Sequence, residues 1–223
     1  MLSNTVFSFL KELAGNNTRE WFTLHKKNYD VSRSQVLALI KEVHRQLDEV
    51  DKIENSKIFR INRDVRFSSN KSPYKTNFSG YYTRLGDSRR GSYYLSIQPG
   101  NQTVVGGGFY DPSKEDLFRI RKEFELDESI ITKITTDKTF KLYFDQLRGE
   151  RVATAPRDFD KEHPHIKWIQ MKQFYAFRSF TDEEVMDPTF PQEVMKTFMV
   201  IRPFFDHMSD ILTTDLNGES ILK

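Results

Sequence analysis

Between Lys57 and Arg90 the chain carries nine basic residues, with only Asp64 and Asp87 to oppose them. Lys57, Arg60, Arg63, Arg66, Lys71, Lys75, Arg84, Arg89 and Arg90 give this window a formal charge of +7. Guanidinium forks take phosphate or carboxylate oxygens in pairs, and ammonium groups add compact charge. Ser68, Ser69, Asn70 and Ser72 supply neutral donors in the same segment. In the run RINRDVRF, alternation puts Phe59, Ile61, Arg63, Val65 and Phe67 on one side of an extended chain, with Arg60, Asp64 and Arg66 on the other. An arginine on an apolar face needs a carboxylate, carbonyls or a bound anion, because burying it unpaired is costly. Pairing with internal acids satisfies that need as well as a ligand does.

Two other groups bear on the same chemistry. Gly106-Gly107-Gly108 ends a strand-like run shortly before a helix start, where backbone can approach an anion closely. The run matches neither a dinucleotide-binding nor a P-loop fingerprint, and close packing of an aromatic neighbour explains it equally well. Arg121 lies beside the apolar stripe Leu117, Ile120, Phe124 and is a second arginine on an apolar face. The segment RDFDKEHPHIKW, residues 157–168, collects Asp158, Asp160, Glu162, His163 and His165 as general-base or metal candidates. Its spacing fits no metal motif, and no metal or other cofactor is expected. His25, His44 and His207 stand isolated in helical patterns. No nucleophile elbow or zinc-protease motif occurs. Asp64, Tyr74 and His163 are the acid–base candidates; the residues do not decide whether the chain is an enzyme.

The elements that must position these groups follow from composition and periodicity. The chain has 223 residues, 37% hydrophobic and 30% charged, with 13% aromatic and no cysteine. That composition excludes a disordered chain, disulfides and thiolate chemistry. It fits a cytoplasmic protein, and no apolar run is long enough to span a bilayer. Asn4 caps a first helix ending at Gly15, and Asn17 with Glu20 has capping-box spacing for a second. The N-terminal segment reads as an amphipathic helix rather than a signal peptide. Val36, Leu39, Ile40, Val43, Leu47 and Val50 form one helical stripe ending near Asp51. Phe59–Phe67, Phe78–Tyr82 and a hairpin over 92–110, turning at Pro99-Gly100-Asn101, read as strands. Pro112 opens a helix. Short helices are expected near 128–135 and 138–147, an irregular stretch over 149–165 and a strand over 173–180. Thr181 with Glu184 is a further capping box. A last helix covers 190–213, with Pro203 expected to kink or divide it.

These residues also carry a resemblance. NNTREWFTLHKKNYD (16–30), FRINRDVRFSSNKSPYKTNF (59–78), YYLSIQPGNQTVVGGGFYDP (93–112), LFRIRKEF (117–124), RDFDKEHP (157–164) and IRPFFDHM (201–208) resemble the domain of unknown function family 2461. The likeness runs over residues 4–212. It implies a single-domain α+β protein and brings no catalytic residues with it. Its motif positions here are Trp21, Arg63, Asp64, Arg66, Phe67, Lys71, Pro73, Tyr74, Lys75 and Gly106–Gly108.

The expectation is an α+β fold in a single domain, residues 1–223, with a mainly antiparallel sheet flanked by N-terminal and C-terminal helices. Residues 1–51 are helical, 57–110 form the sheet with the basic cluster, 111–147 are helices, 149–180 loop and strand, and 181–215 helices. The expected partner is a small phosphorylated or carboxylated ligand held by Arg60, Arg63, Arg66, Lys71, Lys75 and Arg121, with Gly106, Gly107 and Gly108 admitting it. Nucleic acid is the second choice, stacked on Tyr74, Tyr81, Tyr82, Tyr93 and Tyr94. Against it, residues outside the basic window sum to −5, which opposes a long polyanion. A structural protein with an internal arginine–acid network is the third. No membrane partner is expected.

Overall fold

The computed structural model of the chain describes residues 2–222. The fold is α+β, with helices at both ends of the chain and a five-stranded antiparallel sheet of strand order β1-β2-β3-β4-β5. Every strand therefore lies beside its predecessor in sequence. The strands are β1 (Ile53–Ile58), β2 (Phe78–Arg84), β3 (Ser92–Ile97), β4 (Thr103–Phe109) and β5 (Phe174–Phe180). Helices α1 (Asn4–Gly15), α2 (Arg19–Leu24) and α3 (Lys26–Asp51) precede the sheet. Helices α4 (Lys114–Leu126), α5 (Ser129–Thr136), α6 (Lys138–Phe144) and α7 (Ile166–Ile169) lie between β4 and β5, and α8 (Asp182–Met186) and α9 (Phe190–Thr213) follow. By internal contacts the chain makes two compact units: Met1–Tyr82 with Tyr94–Val105 and Ser179–Lys196, and Thr83–Tyr93 with Gly106–Arg178 and Thr197–Lys223.

In the first unit α1 packs on α3, and α3 on β1. The α3 stripe buries Val36, Leu39, Ile40, Val43 and Leu47, whereas Val50 is 45% exposed. The 3.6-residue stripe drifts past the core by the helix's last turn. Gly80 of β2 sets the depth of the contact. A β-carbon there would lie 2.7 Å from Ile40 Cδ1 and 2.9 Å from the Lys57 carbonyl oxygen, so only glycine admits α3 this closely. The Phe9 ring lies 6.0–6.4 Å from the rings of Trp21, Phe22, Tyr29 and Phe78. These aromatics join α1, α2 and α3 to β2. The expected hairpin turn forms with Gly100 and Asn101 at φ 79° and 60°, the left-handed conformation such turns need. Their N–H groups donate to the Asp182 carboxylate at 3.0 and 2.9 Å, and Asp182 N–H donates back to Asn101 Oδ1 at 2.8 Å.

In the second unit Tyr93 of β3 packs on Phe198 and Phe205, and Phe109 of β4 on Phe204 and Phe205. These α9 residues straddle Pro203, and α9 runs through the proline as one helix. The expected division is absent: the proline is exposed while its neighbours Ile201, Phe204, Phe205 and Met208 are buried, so packing on both sides holds the helix together despite one lost hydrogen bond.

Local signals at helix starts are partly corrected. The cap of α2 is Thr18, whose hydroxyl accepts from Trp21 N–H, not Asn17. The residue before α1 is Ser3, and Asn4 is already helical. Ser113 caps α4, with Pro112 just outside it. The Thr181–Glu184 capping box forms in full.

Three glycines of β4 allow very close strand packing. A β-carbon on Gly106 would stand 1.9 Å from the Ala176 carbonyl oxygen, one on Gly107 2.3 Å from the Ser92 oxygen, and one on Gly108 2.2 Å from the Phe174 oxygen. Gly106→Ala should therefore lower unfolding stability by at least ~2 kcal/mol, from overpacking against immovable backbone. Gly15→Ala, where nothing lies within 4 Å, should stay within about 0.5 kcal/mol of the parent. Urea denaturation of the two variants checks both.

Candidate functional site

The basic segment forms a loop, residues 59–77, between β1 and β2 of the first unit. The strand expected over Phe59–Phe67 is displaced: β1 ends at Ile58, and only Asn62 makes a bridge, antiparallel to Tyr74. Past the Asn62 bridge, Asp64 bends the chain. Its Oδ1 accepts from Arg66 N–H at 3.2 Å, a local bond that bends the chain and competes with a ladder. The apolar parity therefore ends at Ile61, which is buried, while Phe67 is 97% exposed.

The base of the loop is pinned. Arg63 N–H donates to Pro73 O at 2.9 Å and Lys75 N–H to Ile61 O at 2.8 Å. Asn17 clamps Tyr74 twice, donating from Nδ2 to its carbonyl at 3.0 Å and accepting its N–H at 3.1 Å. The buried Tyr74 ring stacks on Phe22 with centroids 4.1 Å apart. So Tyr74, an acid–base candidate by sequence, serves as the loop's anchor.

Above this base stand the cations. Arg66 pairs with Asp64, Nη2 to Oδ2 at 2.6 Å, both well exposed. Bonds from the Arg66 side chain, then from its N–H, and the nearby Arg60 charge hold the Asp64 carboxyl below its usual range. That makes Asp64 an ionised acceptor rather than a proton donor near neutral pH. Arg63 is half-buried and, among the described residues, its guanidinium makes one hydrogen bond, from Nη2 to Ser68 Oγ at 3.3 Å. Lys71 Nζ donates to Val65 O at 3.1 Å. The Lys75 ammonium lies 5.1 Å from the Phe59 ring centroid, and partial burial, then the Arg60 charge, pull it below its usual pKa. Arg60, Arg63, Lys71 and Lys75 thus share one loop whose single carboxylate already serves Arg66.

Two further arginines of the window are used differently. Arg84, 3% exposed, pairs with Asp206 and donates to Arg90 O at 3.1 Å, and Arg90 pairs with Asp116 at 2.6 Å. These are internal ion pairs of the second unit. Arg121, also in that unit, donates from Nε to Ile169 O at 2.8 Å and from Nη2 to Met171 O at 3.2 Å, and burial lowers its pKa. The space above Gly106–Gly108 is filled by neighbouring strands and by Phe205. Arg121 and the glycines, expected at the anion, are therefore occupied by structural contacts of their own. Of the expected stacking tyrosines, Tyr82 and Tyr93 are wholly buried, while Tyr81 and Tyr94 are half-buried.

In the 157–168 segment, His163 Nδ1 accepts from His165 N–H at 3.1 Å, and Asp160 Oδ1 accepts from Glu162 N–H at 2.9 Å. Among the described residues no three His, Asp or Glu side chains are grouped to hold a metal ion. A different histidine is more notable. His207 of α9, read as isolated, has a buried Nε2 without a partner among the described residues. Burial lowers its pKa from the ordinary histidine value of 6.5, against the opposing charges of Glu123, Asp210 and Asp127. Those carboxylates come from α4, its C-terminal flank and α9 itself, so sequence separation concealed the group. Phe67 was also misjudged; its polar surroundings, Arg66 and Ser68-Ser69-Asn70, were the available signal.

A family model described as "Conserved hypothetical protein (DUF2461)" matches residues 5–207. The chain belongs to that family. No curated protein and no solved structure matches it. No helix among the described residues is long and apolar enough to cross a membrane.

Two outcomes test this description. Replacing Asn17 by Ala should cost about 1–2 kcal/mol, because it strips both partners from a part-buried backbone, and should raise amide exchange at Tyr74. His207 should make stability depend on pH. The unfolded state takes up its proton near pH 6.5 and the folded state only lower, so stability is full above about 6.5 and declines as pH falls below it. His207→Gln should flatten that decline in urea titrations between about pH 6.5 and 5.5.

Proposed function

We propose that the loop 59–77 binds a small phosphorylated or carboxylated ligand. The observation that carries this reading is Arg63: a half-buried guanidinium with one hydroxyl partner and no carboxylate among the described residues, beside Arg60, Lys71 and Lys75. Cations held together by a pinned backbone repel one another, and an anion relieves that repulsion while filling the free guanidinium N–H sites. The site residues under this reading are Arg60, Arg63, Lys71 and Lys75, with Arg66 and Asp64 as an adjoining pair. Arg121 and Gly106–Gly108 lie outside this loop, in the second unit, and are not counted among its residues. The absence of cysteine fits a cytoplasmic setting.

One observation favours a nucleic acid instead. The cations and Phe67 stand on an exposed loop, reachable by an extended strand. That reading expects affinity to fall steeply with salt, by about one power of concentration for each phosphate contacted.

The test is thermal stabilisation by inorganic phosphate, phosphosugars and dicarboxylates. The parent should gain several degrees at millimolar ligand. Arg63→Ala combined with Lys75→Ala should lose the gain while keeping the ligand-free midpoint within a few degrees. A folded double variant that still responds like the parent would refute the site.

A further inference from the structure

We infer that the ligand of this loop is a nucleotide unit: a phosphate joined to a flat aromatic base, with Phe67 as the stacking surface. The inference rests on the anion reading above and adds the part of the ligand that the cations do not explain.

Ser68 N–H donates to Val65 O at 3.4 Å, so residues 65–68 form a turn with Arg66 and Phe67 at its corner. Turn corners usually hold small or polar residues. Here the corner holds a phenylalanine that is 97% exposed. Its only described ring neighbour is the Arg66 guanidinium, 5.9 Å from the centroid. The same turn carries the under-used cation, because Arg63 Nη2 reaches Ser68 Oγ at 3.3 Å. An open aromatic face and an unfilled guanidinium therefore stand on one six-residue stretch, Arg63–Ser68.

The chemistry of the surroundings selects the occupant. A lipid surface or a protein hot spot would ask for a wider apolar patch. Arg66 and Asp64 flank Phe67 on one side, and Ser68, Ser69 and Asn70 on the other. Phe59 is the only other large exposed apolar residue in the loop, at 38%, and it already faces Tyr81 and Lys75. One ring set among cations and hydroxyls suits a base that stacks while its phosphate takes the guanidinium and ammonium groups. Free nucleotides and single strands both offer that unit.

Calorimetric titration of the full chain with adenosine 5′-monophosphate, ribose 5-phosphate and an oligothymidylate of eight units tests it. The parent should bind the nucleotide, or each base of the strand, roughly 5- to 100-fold more tightly than ribose 5-phosphate, the range expected from stacking one base. Phe67→Ser should erase that advantage and leave ribose 5-phosphate binding unchanged. Phe67→Trp should keep the advantage and show quenched fluorescence on nucleotide binding. Binding of the strand without the free nucleotide, lost in Phe67→Ser, would support the inference with nucleic acid as the source. Equal affinity for nucleotide and ribose 5-phosphate in the parent would overturn it and leave the anion reading standing. Loss of all response to phosphate compounds in the parent would remove both. Phe67-dependent retention on phosphatidylserine vesicles, with no response to nucleotide or strand, would also overturn it.

Discussion

The clasp at the base of the 59–77 loop is the constraint on which the candidate site depends. Two backbone hydrogen bonds, Arg63 N–H to Pro73 O and Lys75 N–H to Ile61 O, close it. Asn17 fixes it to the helices by holding both backbone groups of Tyr74. Ile61 and Tyr74 sink into the core at either side. Without this clasp a segment rich in like charges would spread to relieve repulsion. With it, four cations stay on one short loop, Arg60 and Lys71 exposed and Arg63 and Lys75 half-buried.

Charge in this protein is divided by burial. Arg84 is nearly inaccessible and has Asp206 as its partner, since a guanidinium removed from water needs a carboxylate or carbonyls. Arg121 meets the same need with two main-chain carbonyls. Both make structural contacts within the second unit. Arg63 is intermediate: burial is enough to order it, yet its partner is a single hydroxyl. The basic window thus contains two populations, one that holds the fold and one that the fold displays.

Much of the architecture was legible because it follows from local periodicity and turn chemistry. The α3 stripe, the 92–110 hairpin, the Thr181 capping box and the apolar face of α9 each depend on residues close in sequence. The misread positions depend on residues far apart or on local polar bonds. Alternation predicted a strand through Phe67, but β1 ends at Ile58 and the Asp64 side chain bends the backbone beyond it. The glycine triplet invited a ligand, whereas Ala176, Ser92 and Phe174 oxygens, brought in by strand pairing, occupy that space. His207 looked isolated because Glu123 and Asp127 are some eighty residues away in the chain. Within the site, the identity of the cations was visible from the start. Which of them keep free donors was not, because that depends on where Asp64, Asp116 and Asp206 fall in space.

The placement of Asp64 sharpens the electrostatic argument. A carboxylate in the middle of the loop could have neutralised Arg63, Lys71 or Lys75. It instead engages Arg66 at close range and accepts its N–H. This one acid therefore acts on the conformation of the turn and pairs with the cation at the corner, with the Arg60 charge also acting on it. Of the remaining positive charge, Lys75 at the clasped base is already depressed by burial and by Arg60. An anion bound there would favour the charged form of Lys75 and raise its pKa, so binding and protonation are linked in the same direction. Arg63 joins the two ends of the loop: its N–H is held in the clasp by Pro73 O, while its guanidinium reaches Ser68 in the turn that carries Phe67.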